Sequence, residues 1–286
     1  MKQGRVAVGQ EVSLRWGREA MRLFATLVVS FALAASVAAA EPRQRVVALE
    51  TRPGVHISFY LNQSDVPPAA AVILLSGGEG LLKMQEDQPA NPRRGGNFLV
   101  RSRGILADRG LLVATVNAPS DLPAGMSSEF RLSADHATDL GRVADWLRQQ
   151  AGLPVWLAGT SMGTLSAAGA GIRLGSRIDG VVLASTITRT NPRWTIPYRG
   201  VLGLDLETLT VPLLVVGHRS DSCWVTPADD IPDLMEKATA SPRKEARVVS
   251  GGSPLESAVC EARSPHGFVG LEDEVVAIIA GFILAR

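Results

Sequence analysis

The sequence predicts an α/β architecture, a mostly parallel central sheet with helices on both faces. Three observations carry that expectation. Short continuous apolar runs recur at residues 71–76, 111–116, 155–158, 180–185 and 213–218, the pattern of strands buried on both faces. Segments with helical apolar spacing alternate with them, which makes consecutive strands parallel. The chain has 286 residues, 46% of them hydrophobic and 20% charged, enough for one large domain with a substantial core. There is no internal repeat and no low-complexity tract.

The first 40 residues stand apart. Arg22 precedes an apolar stretch of about 13 residues, and Ala38-Ala39-Ala40 ends it in a small-residue cleavage pattern before Glu41-Pro42. These are the basic, apolar and small-residue regions of a secretory signal peptide, with Met21 as an alternative start to Met1. The stretch is short of the roughly 20 residues that span a bilayer, so cleavage after Ala40 is expected over a retained anchor. The mature domain would be residues 41–286, periplasmic or secreted, with no stable membrane insertion. Residues 1–40 hold five basic and two acidic residues, which leaves 24 basic against 26 acidic residues beyond them, a net charge of −2. That balance gives no electrostatic case for a nucleic-acid partner.

From residue 41 the chain reads in order. Residues 45–49 and 55–61 are strands joined by a turn at Arg52-Pro53-Gly54, hence a hairpin, and His56 on the second is structural. Strand 71–76 runs into Gly77-Gly78-Glu79-Gly80, where glycines let backbone amides approach a ligand; an ordinary glycine turn is the alternative. A polar loop fills residues 81–97. Asn97 caps a helix to about residue 109, followed by strand 111–116. Ser133 caps the next helix, which runs to about residue 150. Its apolar stripe is Leu140, Val143, Trp146 and Leu147, and Asp135, His136, Asp139 and Asp145 are expected on its solvated face. After strand 155–158 comes a helix of small residues to about 174, then strand 180–185. Residues 186–210 are irregular: enough for a short flap, too few for a large cap domain. Strands 213–218 and 247–250 and an amphipathic helix over about 270–284 complete the chain.

The strand at 155–158 ends in Gly159-Thr160-Ser161-Met162-Gly163, a G-x-S-x-G pattern. A serine on a tight strand-to-helix turn is held in a strained conformation with its hydroxyl lifted off the sheet, and glycines on either side avoid collision. The helix that follows presents amide N–H groups to an oxyanion. Such a serine needs a base and an acid to orient it. Asp221 lies just beyond strand 213–218, at the carboxyl edge where open α/β sheets bind ligands. His266 lies in a late loop before the last helix. Asp205, Asp229 and Asp230 are less well placed as acids, and His218 precedes the acid.

These segments, Gly159 to Gly163, Gly217-His218-Arg219-Ser220-Asp221 with Pro227, and His266-Gly267-Phe268, resemble those of the α/β-hydrolase superfamily, in particular its esterases and dienelactone-hydrolase-like members. The resemblance covers nearly all of residues 41–286. It implies Ser161 as nucleophile, His266 as base and then acid, and Asp221 as the orienting carboxylate. It also implies oxyanion donors at the amides of Met162 and of Gly78 or Glu79. The Ser-Gly-Gly-Glu-Gly loop departs from the His-Gly motifs common in lipases and esterases. The two cysteines, Cys223 and Cys260, are expected to pair in an oxidising compartment, tying the acid loop to the histidine loop; two free buried thiols are the alternative.

The expected function is an exported serine hydrolase acting on a small ester, with Trp194, Tyr198 and Trp224 as apolar pocket walls or simply flap packing. Peptidase or thioesterase chemistry would use the same triad. A non-catalytic binding module on the same fold is the competing class. No metal-ligand spacing, dinucleotide fingerprint or P-loop is present, so neither a metal nor a cofactor is expected.

Overall fold

The computed structural model describes residues 43–82, 84, 96–190 and 199–285. The expected signal segment, most of the polar loop after Leu82, and Trp194 and Tyr198 lie outside them. Among the described residues, eight strands form one sheet: β1 (Gln44–Arg52), β2 (Val55–Asn62), β3 (Ala70–Leu75), β4 (Leu111–Val116), β5 (Val155–Ser161), β6 (Gly180–Thr186), β7 (Leu213–His218) and β8 (Lys244–Val249). Their order is β1-β2-β4-β3-β5-β6-β7-β8. The hairpin β1–β2 and the β2–β4 pair are antiparallel. From β4 to β8 every pairing is parallel.

The helices are α1 (Phe98–Asp108), α2 (Ser128–Arg131), α3 (Ala134–Ala151), α4 (Gly163–Leu174), α5 (Ile231–Lys237) and α6 (Glu272–Leu284). The two-residue period of the strands divides the core. Ala71, Ile73 and Leu75 of β3 face a cluster built with α3 and α4, while Ala70, Val72 and Leu74 face one built with α1 and α6. The predicted caps form as expected. Asn97 Oδ1 accepts from Leu99 N and Ser133 Oγ from His136 N, both at 3.1 Å. The sequence did not point to the short helices α2 and α5.

One expectation fails on α3. His136 and Asp139 are buried, not part of a solvated face. The β1–β2 hairpin packs over this side of α3, and Arg52 Nε from the end of β1 reaches Asp139 Oδ1 at 2.9 Å. A long-range partner therefore takes Asp139 inward, while His136 is enclosed with no hydrogen-bond partner on its ring; helical spacing alone expresses neither. The irregular stretch after β6 contains two short 3-10 turns, Gly200–Gly203 and Leu206–Thr208.

Candidate active site

β5 runs directly into Ser161, whose φ is +54°, a region that side chains other than glycine seldom occupy. The flanking glycines follow from backbone crowding. A Cβ on Gly159 would stand 2.2 Å from Gly163 O, and one on Gly163 would stand 2.0 Å from Leu75 O. Strand, turn and helix α4 thus meet backbone against backbone. Thr164 Oγ1 fastens the turn by donating to Ser161 O at 2.6 Å and accepting from Ile187 N at 3.2 Å.

The loop after β3 lies against this turn. A Cβ at Gly77 would fall 2.9 Å from Ser161 Cβ and 3.3 Å from Asn97 Nδ2, so close approach requires glycine there. The carbonyls of residues 77–80 all turn to protein donors. Gly77 O accepts from Gly80 N at 3.2 Å, Glu79 O from Met126 N at 2.8 Å and Gly80 O from Ala118 N at 3.0 Å. Gly78 O accepts from Arg131 Nη2 at 2.8 Å. Among the described residues, the turn and cap hydrogen bonds leave the amides of Gly78, Glu79 and Met162 unused. All three residues line the same cleft as Ser161.

Asp221 follows β7 in a turn closed by its own amide to His218 O at 3.0 Å. Its Oδ1 accepts from Cys223 N at 2.9 Å, and its Oδ2 from Thr226 Oγ1 at 2.9 Å. His266 Nδ1 lies 3.1 Å from Asp221 Oδ2 and 3.0 Å from Thr226 Oγ1. The Thr226 hydroxyl proton is committed to the carboxylate, so both oxygens face Nδ1 as acceptors. That arrangement favours the Nδ1–H tautomer and leaves the Nε2 lone pair free. The pair is withdrawn from solvent, with side-chain exposures of 4% for His266 and 1% for Asp221.

The histidine loop is held from several sides. Ser185 Oγ donates to His266 O at 2.7 Å. Arg101, buried on α1, donates to Gly96 O at 2.9 Å and also to Gly267 O, and it pairs with Glu272 at 2.9 Å. Burial lowers the Arg101 pKa, and Glu272 offsets part of that effect. The glycine after the histidine answers to crowding, since a Cβ at Gly267 would stand 2.0 Å from Ala262 O. A disulfide joins Cys223 to Cys260, crossing from the acid loop to the segment before His266.

Ser161, His266, Cys223, Cys260 and Trp224 line one cleft of about 850 Å³, with Asp221 behind the histidine. Ser161 and His266 face it without a hydrogen bond between them among the described residues. Trp224 stands at its rim, about half exposed. Two of the rival residues are engaged elsewhere. Asp230 pairs with Arg189 at 2.8 Å, and His218 braces the acid loop by accepting from Ser220 N at 2.9 Å. Sequence reasoning missed Thr226, Arg101 and Arg131. Each acts through a partner remote in the chain, and no local pattern marks it.

No family model and no curated protein matches the chain. Solved structures do. An esterase of Pyrococcus furiosus, Pf2001, is 16% identical with a TM-score of 0.58, over 84% of this chain and 91% of that one. Est1E of Butyrivibrio proteoclasticus is 13% identical with a TM-score of 0.56, over 84% and 98%. A serine hydrolase without lid from Xanthomonas campestris is 16% identical with a TM-score of 0.51, over 84% and 96%. Likeness at this identity speaks for architecture, and with the parallel sheet and the serine turn already described, the chain has the α/β-hydrolase fold.

Proposed function

We propose that this chain is an exported serine hydrolase that cleaves a small ester through Ser161, His266 and Asp221. The observation that carries the reading is the buried His266–Asp221 pair, with Nδ1 committed at 3.1 Å, opening into the same cleft as a serine held at positive φ. The fold supports it further, since the Pyrococcus furiosus protein is named an esterase and the Xanthomonas campestris protein a serine hydrolase.

In the proposed reaction the substrate carbonyl enters the cleft over Ser161. Ser161 Oγ engages His266 Nε2 across the shared cleft once substrate is bound, since catalytic contacts are often long in the free protein. Oγ attacks the carbonyl carbon, its proton passes to Nε2, and Asp221 stabilises the imidazolium that forms. The oxyanion is received by the amides of Met162 and Gly78, with Glu79 as the other candidate for the second donor. The imidazolium then protonates the departing alcohol, leaving an acyl-enzyme. Water repeats the sequence, with His266 first as base and then as acid, and releases the carboxylic acid. Leu81, Leu82, Phe98 and Trp224 give the cleft an apolar wall suited to the hydrocarbon part of an ester.

Export rests on the signal pattern of residues 1–40, and the Cys223–Cys260 bridge fits an oxidising compartment. No described helix is long and apolar enough to cross a membrane.

A fluorophosphonate probe on residues 41–286 tests the chemistry. The expected result is stoichiometric labelling that Ser161→Ala abolishes. No labelling of the wild type, or equal labelling of the variant, would leave a binding module as the reading. A panel of p-nitrophenyl esters of graded chain length, with thioester and aminoacyl substrates beside it, separates esterase from thioesterase and peptidase activity.

A further inference from the structure

The four carbonyls of residues 77–80 point to an unassigned part of the site. Backbone amides hold those of Gly77, Glu79 and Gly80. A guanidinium holds the fourth. Arg131 Nη2 donates to Gly78 O at 2.8 Å, and Nη1 donates to Ser166 Oγ at 2.9 Å. Ser166 belongs to α4, the helix that begins beneath Ser161. One side chain therefore joins the helix behind the candidate nucleophile to the loop that offers the second oxyanion amide.

The cost of this arrangement is large. Arg131 is 1% exposed, and its Nε has no hydrogen-bond partner. Among the described residues no carboxylate lies within ion-pair distance of it. Burial of an unpaired cation is unfavourable by several kcal/mol even after relaxation (about this order). Desolvation lowers the Arg131 pKa to about 10, with Glu79 the only group opposing the shift. The group is still a cation at neutral pH. Packing alone does not call for it, since an apolar side chain of similar length would fill the space.

We propose that Arg131 is a positioning residue for oxyanion stabilisation. Its guanidinium holds the Gly78 carbonyl away from the cleft, so that the N–H of the same peptide, that of Glu79, is turned the opposite way, towards the developing negative charge. It also places a positive charge behind the Gly78–Glu79 peptide, in a site of low dielectric where such a charge acts strongly. The charge is fixed before substrate arrives, so no reorganisation is needed when the oxyanion forms. This inference rests on the hydrolase reading above.

The test compares wild type with Arg131→Met, Arg131→Lys and Ser166→Ala on one p-nitrophenyl ester, with active sites counted by fluorophosphonate titration and stability followed by thermal unfolding. Arg131→Met removes a buried charge and keeps the chain length, so its Tm should equal or exceed that of wild type. Its kcat per active site should fall about 30-fold or more with KM within about 3-fold, as when one oxyanion donor is weakened. Arg131→Lys keeps the charge but cannot span both acceptors, and should recover part of the loss. Should Arg131→Met not fold, Arg131→Lys and Ser166→Ala carry the test, each expected to lower kcat several-fold at unchanged KM. Wild-type kcat per active site in the folded variants overturns the proposal, as does a Tm loss that alone accounts for the missing activity. A wild type that the probe does not label overturns the hydrolase reading, and this proposal with it; a labelled wild type with unaffected variants overturns this proposal only.

Discussion

At the scale of single residues, the candidate site depends on side chains that are not themselves reactive. Thr226 is the clearest. Its hydroxyl lies 2.9 Å from Asp221 Oδ2 and 3.0 Å from His266 Nδ1, in a buried position where no solvent can replace it. It supplies a donor to the carboxylate and an acceptor to the imidazole N–H. Thr226→Val keeps the shape and removes both. A hydrogen bond to a charged group contributes about 1.5–3 kcal/mol, so kcat is expected to fall about 10-fold or more with KM nearly constant, and Thr226→Ser should restore it. Steady-state kinetics on the three proteins decide this, and wild-type kcat in Thr226→Val would show that Asp221 and Cys223 suffice.

At the scale of elements, α3 carries a buried ionisable group that the proposed chemistry does not use. His136 is fully enclosed, both ring nitrogens lack a hydrogen-bond partner, and Phe130 packs beside it with ring centroids 5.3 Å apart. Burial drives its pKa down from 6.5 to about 3, with Arg131 and Arg52 adding to the effect. Between these values the unfolded chain binds the proton and the folded one does not. Stability therefore rises with pH across that window and is lost as pH falls from about 6.5 towards 3, by at most about 1.4 kcal/mol per pH unit. His136→Leu should flatten this dependence whatever its effect at neutral pH. Urea unfolding of both proteins at pH 7 and pH 4.5 gives the comparison, and an equal loss in each would exclude His136 as its source.

The whole molecule brings together loops that follow different strands. Asp221 comes after β7 and His266 after β8, and the Cys223–Cys260 bridge, 37 residues apart in sequence, fastens one to the other. Its Cys223 end also supplies the amide that holds Asp221 Oδ1 at 2.9 Å. Closing a loop of this length stabilises a protein by about 2–4 kcal/mol. Replacing both cysteines with serine should lower Tm by roughly 5–15 °C for a domain of this size and reduce turnover at temperatures where the variant is still folded. Calorimetry with parallel kinetics measures both. Unchanged turnover in the folded variant would leave the bridge a purely stabilising role.

The sequence by itself determined the parallel sheet, the caps at Asn97 and Ser133, and the serine turn, because each follows from local rules: apolar runs, a polar side chain reaching its own helix, and glycines where backbones touch. The chain order of Ser161, Asp221 and His266 was legible for the same reason, since each closes or follows a recognisable strand. The tertiary structure alone decided what surrounds them. Asp139 is buried because Arg52 crosses from the hairpin to meet it. Arg131 is buried because Ser166 and Gly78 stand on either side of it, and Thr226 matters because His266, forty residues on, arrives beside it. Polar side chains in a core are stabilised by partners distant in sequence, and a linear pattern carries no record of which partner will be there.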